Sequence, residues 1–186
     1  MAVSSDVLTS IMLELTQGAA EIAKEELETM VRSIRKAKRV YVAGAGRSGF
    51  IARGFAMRLM HLGMQAYVVG EPTTPAIRAH DLLVILSGSG NTSGLVAMAE
   101  KAKALQADIA LLTTNRKSKL AALCDTKLLL PGVSKEEAGI QGRSIQMSGS
   151  MYEQLAWICC DAMVVMMMKE SGLSSSDLMT RHANLE

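Results

Sequence analysis

Two turns rich in glycine and serine each follow an apolar run and precede an amphipathic helical pattern. The first is Gly44-Ala45-Gly46-Arg47-Ser48-Gly49, and the second is Ser87-Gly88-Ser89-Gly90-Asn91-Thr92-Ser93-Gly94. The start of a helix offers free backbone N–H groups and the positive end of the helix dipole, and both favour a bound phosphate. Two such turns, each carrying hydroxyl side chains, predict a small phosphorylated ligand that is held from two sides.

The residues expected to bind this ligand offer hydroxyl, amide, guanidinium or backbone N–H groups. The two turns supply Gly46, Arg47, Ser48, Ser87, Gly88, Ser89, Asn91 and Thr92, and a loop braced by prolines supplies Glu71 and Thr73. The planar guanidinium of Arg47 can pair with a phosphate or a sugar oxygen, or with another protein group. An alternative that the sequence leaves open is that the serines only cap the helices that follow them.

The first turn also fits the G-x-G-x-x-G pattern of dinucleotide-binding folds, and Glu71 stands near the place of a ribose-binding acid. The second turn carries more hydroxyls than a pyrophosphate needs, and no Walker A lysine follows either turn. We therefore rank a nicotinamide-linked oxidoreductase below a site for a small phosphorylated ligand, and we expect neither a cofactor nor a metal ion.

Strand-like and helix-like segments alternate from residue 39 onward. Each of the two turns lies between a strand-like segment and the helix-like segment that follows it. Five apolar runs predict buried strands at Arg39–Ala43, Gln65–Val69, Leu82–Leu86, Ala107–Leu112 and Thr126–Leu130. Apolar spacing predicts helices at Ser48–Leu62, Thr92–Leu105, Ser118–Cys124 and Ser150–Lys169. The alternation predicts an α/β fold, a three-layer α/β/α sandwich around a five-stranded parallel sheet. We expect the doubly wound strand order 2-1-3-4-5 for this sheet. In that order the two turns follow neighbouring strands and converge on one pocket.

The segments on either side of this core also have helical patterns. The first segment, Ser5 to Lys36, has helical spacing, and Gly18 is expected to bend or split it. Such a helix overhangs a small sheet, so we expect part of its apolar face to meet another subunit. We therefore expect one domain, with a helical segment at 1–38, an α/β core at 39–170 and a C-terminal helix and tail at 171–186.

Composition limits the partners and the compartment. Hydrophobic residues make up 49%, charged residues 20%, and the net charge is +2, which gives no electrostatic sign of a nucleic-acid partner. The three cysteines have neither a disulfide pattern nor a metal-ligand spacing, as expected in a reducing cytoplasm. The apolar stretch Met151–Met168 includes Glu153 and Asp161, which predicts a buried helix rather than a membrane span. The long stretch between Pro131 and Gly149 predicts a functional loop.

Several motifs together give a resemblance that covers nearly the whole chain. They are 42–49, 87–92, 57–63, 69–77, 149–154 and the terminal Arg181-His182-Ala183-Asn184-Leu185-Glu186. On these residues the chain resembles the sugar isomerase (SIS) domain family of phosphosugar binders, and within it the 6-phospho-3-hexuloisomerases. It departs from the usual pattern at Asn91, where an acidic residue is common, and at 146–149, where a proline often occurs.

The resemblance implies an isomerase that interconverts 3-hexulose 6-phosphate and fructose 6-phosphate through a 2,3-enediol, in formaldehyde fixation by the ribulose monophosphate pathway or in pentose supply. Such a reaction needs a base that returns the proton and a second group that serves the oxygens. The resemblance implies that Glu153 is this base and that His182, often donated by a neighbouring subunit, is the second group. It also implies a homotetramer with its sites near the subunit interfaces.

Alternatives remain for both residues and for the activity. In Ser150-Met151-Tyr152-Glu153 the carboxylate also fits a capping box, in which it would bond to the backbone. A lone histidine near a C-terminus is usually solvated, and we expect His61 and His80 to be structural. The alternative functions are a non-catalytic phosphosugar sensor and an arabinose 5-phosphate isomerase, because the same fold serves both.

Overall fold

A computed structural model describes residues 3–132 and 144–185. In order along these residues, the elements are α1 (Val3–Ala20), α2 (Lys24–Lys36), β1 (Val40–Gly44), α3 (Arg47–His61), β2 (Ala66–Val68), β3 (Leu82–Leu86), α4 (Ser93–Ala104), β4 (Asp108–Thr113), α5 (Lys119–Leu123), β5 (Thr126–Leu129), α6 (Ser150–Ser171) and α7 (Ser175–Met179). The ends of the predicted strands all lie within one residue of the observed ones. Much of the loop expected between Pro131 and Gly149 lies outside the described residues.

The five strands form one parallel sheet of order β2-β1-β3-β4-β5. The central strand, Leu82–Leu86, pairs with Val40–Gly44 on one side and with Asp108–Leu112 on the other. All five residues of β3 are buried, which explains why its sequence is apolar without alternation. The predicted α/β fold class and strand order are confirmed.

Successive side chains of each strand point to opposite faces of the sheet, and each face is covered by helices. Val42 and Val84 lie in a core with α2, α3 and α6. Tyr41 and Ile85 lie in a second core with α4 and α5. The result is the three-layer arrangement that the sequence predicts.

The N-terminal segment is split, but not at the predicted place. The break between α1 and α2 falls at residues 21–23, whereas Gly18 lies inside α1. A Cβ at Gly18 would lie 2.5 Å from the Cε of Met151. Gly18 therefore serves close packing of α1 on α6, and the expectation that it splits the helix is wrong.

Helix α6 is, among the described residues, the one helix long and apolar enough to cross a membrane. Half of its most apolar window is buried. Leu155, Ala156 and Met163 are fully buried, and the last two lie in the core with α2 and α3. Its packing is that of a core helix, as predicted for Met151–Met168.

Candidate active site

The carboxyl ends of β1 and β3 and the start of α6 enclose a cavity of about 330 Å³. It is lined by Ala45, Gly46, Ser48, Leu86, Ser87, Gly88, Ser89, Thr92, Leu95, Thr114, Gly149, Tyr152 and Glu153. In a parallel sheet of this order the connections after β1 and β3 leave on opposite faces and open a crevice between them. The two glycine–serine turns therefore line one cavity, whose volume suits a small metabolite.

The first turn depends on two glycines. Gly46 precedes α3 with φ +57° and ψ −133°, a backbone conformation that is essentially restricted to glycine. A Cβ at Gly44 would lie 2.7 Å from the carbonyl oxygen of Ser48, so α3 begins directly against the end of β1. These constraints bring the first backbone N–H groups of α3 and the Ser48 hydroxyl to the cavity.

The hydroxyls of the second turn hold the turn together. Those of Ser87 and Ser89 accept hydrogen bonds from the N–H groups of Gly90 and Asn91, each at 3.2 Å. Thr92 precedes α4 and makes no side-chain capping bond. The hydroxyl hydrogens can therefore donate to an anion, and these side chains do not cap the helix.

Glu153 is nearly buried at the cavity, with 8% of its surface exposed. Its Oε2 atom lies 2.6 Å from the Nε atom of Arg47, whose side chain is 67% exposed. The capping-box interpretation is wrong, because Gly149 rather than Ser150 precedes the helix and no side-chain cap bond forms there. The Glu153 carboxylate pairs with Arg47 instead of the backbone.

Four expected binding residues do not line the cavity. One is Arg47, which pairs with the lining residue Glu153. The amide oxygen of Asn91 accepts a hydrogen bond from the N–H of Lys119 at 3.1 Å and so ties α4 to α5. Glu71 forms an ion pair with Arg53 at 2.6 Å. Thr73 lies in an exposed turn.

His182 lies at the other end of α3 from the cavity of its own chain. Its ring stacks on that of His61, with 5.3 Å between the centroids. Arg181 donates to the carbonyl of His61 at 2.9 Å and fixes the tail there. The cavity is at the first turn of this 15-residue helix and His61 is its last residue, a separation of about 20 Å along the helix axis.

Two polar side chains of the cavity, those of Thr114 and Tyr152, were not among the predicted site residues. The hydroxyl of Thr114 donates to the carbonyl of Gly88 at 2.9 Å, and its position just after β4 could have indicated it. The hydroxyl of Tyr152 donates to the carbonyl of Leu112 at 2.9 Å. Burial raises the pKa of Tyr152, so the phenol is neutral. Its sequence pattern does not distinguish it from a core aromatic residue.

Comparison with known proteins bears on this site. The SIS domain family matches residues 33–157. The chain is 39% identical over 183 residues to the 3-hexulose-6-phosphate isomerase of Bacillus subtilis (strain 168), covering 98% of this chain and 99% of that protein. It is 42% identical over 187 residues to the 3-hexulose-6-phosphate isomerase of Mycobacterium gastri, and the match covers 99% of this chain and 94% of that protein.

A solved structure is similar along the whole domain. It is that of a hypothetical protein from Methanococcus jannaschii, for which a molecular function of 3-hexulose-6-phosphate isomerase was inferred. The two share 33% identity and a TM-score of 0.79, over 98% of this chain and 99% of that one. The resemblance drawn from the motifs is confirmed, and the chain belongs to the SIS domain family.

Proposed function

We propose that this protein is an isomerase that interconverts 3-hexulose 6-phosphate and fructose 6-phosphate through a 2,3-enediol. One observation carries the proposal: the nearly buried carboxylate of Glu153 and the hydroxyls of two turns line the same cavity. The names of the relatives supply the substrate class. The residues around the cavity supply a way to hold a phosphate and a way to move a proton.

The phosphate is held at the two turns. The hydroxyls of Ser48, Ser87 and Ser89 donate to its oxygens, together with that of Thr92 and the backbone N–H groups that open α3. Fixing the phosphate places the sugar carbons beside Glu153, which lines the same cavity. Holding reactants in register in this way accounts for a large share of a barrier, up to roughly 7–11 kcal/mol.

Glu153 moves the proton between two carbons. It removes the proton from C2 of the 3-ketose, and the electron pair of that bond forms the C2=C3 bond while the carbonyl oxygen at C3 takes the negative charge. Glu153 then returns the proton to C3, and one proton passes from the oxygen on C2 to the oxygen on C3. The adjacent guanidinium of Arg47 orients the carboxylate and stabilises the charge on oxygen.

We assign the oxygen proton transfer to His182 of a second copy. Within one chain, His182 is about 20 Å away from the cavity, along the length of α3. A neighbouring chain in a homo-oligomer brings the tail to the cavity from outside. The family resemblance favours a tetramer.

The surface that this copy covers is an apolar face formed by α3 and α6. Phe50 is 70% exposed, and Met57 and Trp157 are each 46% exposed. Trp157 lies against Gly54, where a Cβ would approach its ring to 2.9 Å, so the two helices form one surface. Both helices begin at the cavity, and a chain docked on this α3–α6 face therefore lies beside the cavity mouth.

Isotope exchange tests the reaction. Fructose 6-phosphate incubated with the enzyme in heavy water is expected to gain deuterium at C3, with 3-hexulose 6-phosphate as the product. Deuterium at C1 instead would indicate an arabinose 5-phosphate type of isomerase. Saturable binding with neither exchange nor product would indicate a sensor. Product analysis is needed beside the exchange measurement, because Glu153 can return the same proton without exchange.

A further inference from the structure

The contacts of His61 attach the C-terminal tail to the end of α3. His61 is the last residue of this helix, and only 2% of its surface is exposed. Its ring stacks on the exposed ring of His182, with 5.3 Å between the centroids and 24° between the planes. Its carbonyl accepts a hydrogen bond from the Arg181 guanidinium at 2.9 Å. Two consecutive residues of the tail are therefore held by one residue of α3.

The end of α3 offers a binding place for this tail. The last carbonyls of a helix have no partner within it and carry the negative end of the helix dipole, so a cation there is stabilising. Arg181 supplies both the cation and the hydrogen bond. A Cβ at Gly63 would lie 3.3 Å from the Cζ atom of Arg181, so the guanidinium lies directly against the turn that follows the helix. These contacts give a role to the motif at 57–63, which lies outside the cavity.

The stack orients the ring of an exposed side chain. The Nδ1 atom of His182 lies 3.1 Å from the carbonyl oxygen of Ala183. A carbonyl can only accept, so this bond requires the hydrogen on Nδ1 and leaves Nε2 as the atom that exchanges protons. With its face on His61 and its edge on Ala183, the ring presents Nε2 in one direction. A histidine without such support moves among several rotamers at the surface.

His61 is uncharged beneath His182 at neutral pH. Burial lowers the pKa of His61 below its ordinary value of 6.5, and the charges of Arg58 and His182 lower it further. Arg58 on α3 and Arg181 in the tail are charged neighbours of the two rings. A neutral His61 leaves His182 as the ring of the pair that takes up a proton.

Docking of two chains brings this stack to a cavity. A two-fold axis across α3 places the last turn of one α3 beside the first turn of the other, because the two helices then run antiparallel. The first turn of α3 lines the cavity, and the contacts of His61 with the tail lie within one chain, so docking preserves them.

We propose that His61 is a positioning residue for the isomerisation, whose ring and carbonyl hold His182 of the same chain in the orientation needed at the neighbouring cavity. This role rests on the proposed function, in which His182 transfers the oxygen proton.

His61→Leu and His61→Phe form a matched pair that tests the role. Both side chains are apolar and suit a buried position, but only phenylalanine keeps a flat ring for His182 to stack on. We expect His61→Leu to lower kcat roughly 10- to 100-fold, because misplacing a reacting group by about 1 Å costs up to about 10²-fold. The KM for fructose 6-phosphate should change little, since the phosphate is held at the two turns. His61→Phe should keep most of kcat.

His80→Asn is the control for the loss of a histidine. His80 is exposed and has a positive φ of 68°, a conformation that asparagine tolerates. We expect kcat and KM to remain unchanged in this variant.

A double-mutant cycle shows whether His61 acts through His182. In the His182→Ala background, His61→Leu should cause no further loss of kcat. An unchanged kcat in His61→Leu, an equal loss in His61→Phe, or the same loss again in the His182→Ala background would overturn the role. If His61→Leu does not fold, Arg181→Gln decides, because it removes the other contact of the tail at an exposed residue. Its kcat should then fall only when His182 is present, and an unchanged kcat would overturn the role.

The same measurements separate this role from the reaction. If the protein forms hexulose phosphate and His182→Ala is inactive, but His61→Leu has full turnover, only the role of His61 fails. If His182→Ala has full turnover, the roles of both histidines fail and the isomerase activity stands. If the unsubstituted protein gives neither exchange nor product, the proposed function fails and the role of His61 fails with it.

Discussion

At the scale of single residues, the pairing of Glu153 with Arg47 is central to the proposed chemistry. Glu153 is 8% exposed, and the side chain of its partner Arg47 is 67% exposed. An ion pair with one buried and one exposed partner keeps the carboxylate oriented while the guanidinium remains accessible to a sugar oxygen.

Glu153→Gln keeps the shape of the side chain and removes the base. We expect kcat for the isomerisation to fall by roughly 10²- to 10⁴-fold, because the carbon-bound proton then has no acceptor. Binding of inorganic phosphate should persist, since the hydroxyls of the two turns hold the phosphate. Steady-state kinetics measures kcat, and calorimetry measures phosphate binding. Glu100→Gln, on the exposed face of α4, is the control for the change in charge. Near-normal turnover would remove Glu153 from the proposed role.

His61 makes the stability of the protein sensitive to acid. Burial lowers the pKa of His61 below its ordinary value of 6.5, and the charges of Arg58 and His182 lower it further. The unfolded chain therefore binds a proton more readily than the folded one, so the free energy of unfolding falls as the pH drops below 6.5. His61→Leu should reduce this dependence in denaturant titrations between pH 7 and the folded-state pKa. If the free energy of unfolding of His61→Leu depends on pH as strongly as that of the unsubstituted protein, His61 is not the source of the acid sensitivity.

At the scale of elements, the strand-to-helix turns bring the hydroxyl side chains to one cavity. The turn before α3 requires a positive φ at Gly46, and no heavy atom lies within 4 Å of a Cβ built there. The turn therefore needs glycine at position 46 because of the backbone conformation, since there is room for a side chain.

Comparison with Gly94 isolates this backbone effect. A Cβ at Gly94 also meets nothing within 4 Å, but this residue lies in helix α4. We expect Gly46→Ala to lower the free energy of unfolding by about 1–3 kcal/mol. Gly94→Ala should raise it by up to about 1 kcal/mol. Denaturant unfolding of both variants measures the difference, and equal effects would show that the turn tolerates a side chain.

At the scale of the whole molecule, our proposal is that two chains together complete the site. The cavity lies at one end of α3 and His182 at the other, and the apolar α3–α6 face joins the two ends. Subunit exchange tests this arrangement.

Glu153→Gln and His182→Ala proteins, each weakly active, should regain activity when their subunits are mixed by refolding. Random pairing of the two chains restores roughly a quarter of the sites, since each needs a Glu153 from one chain and a His182 from another. Each variant refolded alone is the control. Activity that never exceeds the controls would mean that His182 acts in its own chain or not at all.

The pattern of apolar residues was enough to predict each strand and a sheet covered on both faces, because burial of β3 on both faces demands an unbroken apolar run. It was not enough for details that depend on a distant neighbour. Gly18 looks like a helix breaker until the side chain of Met151 is placed against it. The capping box looked sound because the sequence does not show where α6 begins.

By itself, the sequence determined the α/β architecture, the family and the two turns that meet at one cavity, since each depends on local spacing of apolar residues, glycines and hydroxyls. Only the tertiary structure decided that Glu153 faces Arg47, that Asn91 ties two helices together, and that the Tyr152 hydroxyl donates to the Leu112 carbonyl. Those contacts join residues from separate elements, and such pairs leave no periodic signal along the chain.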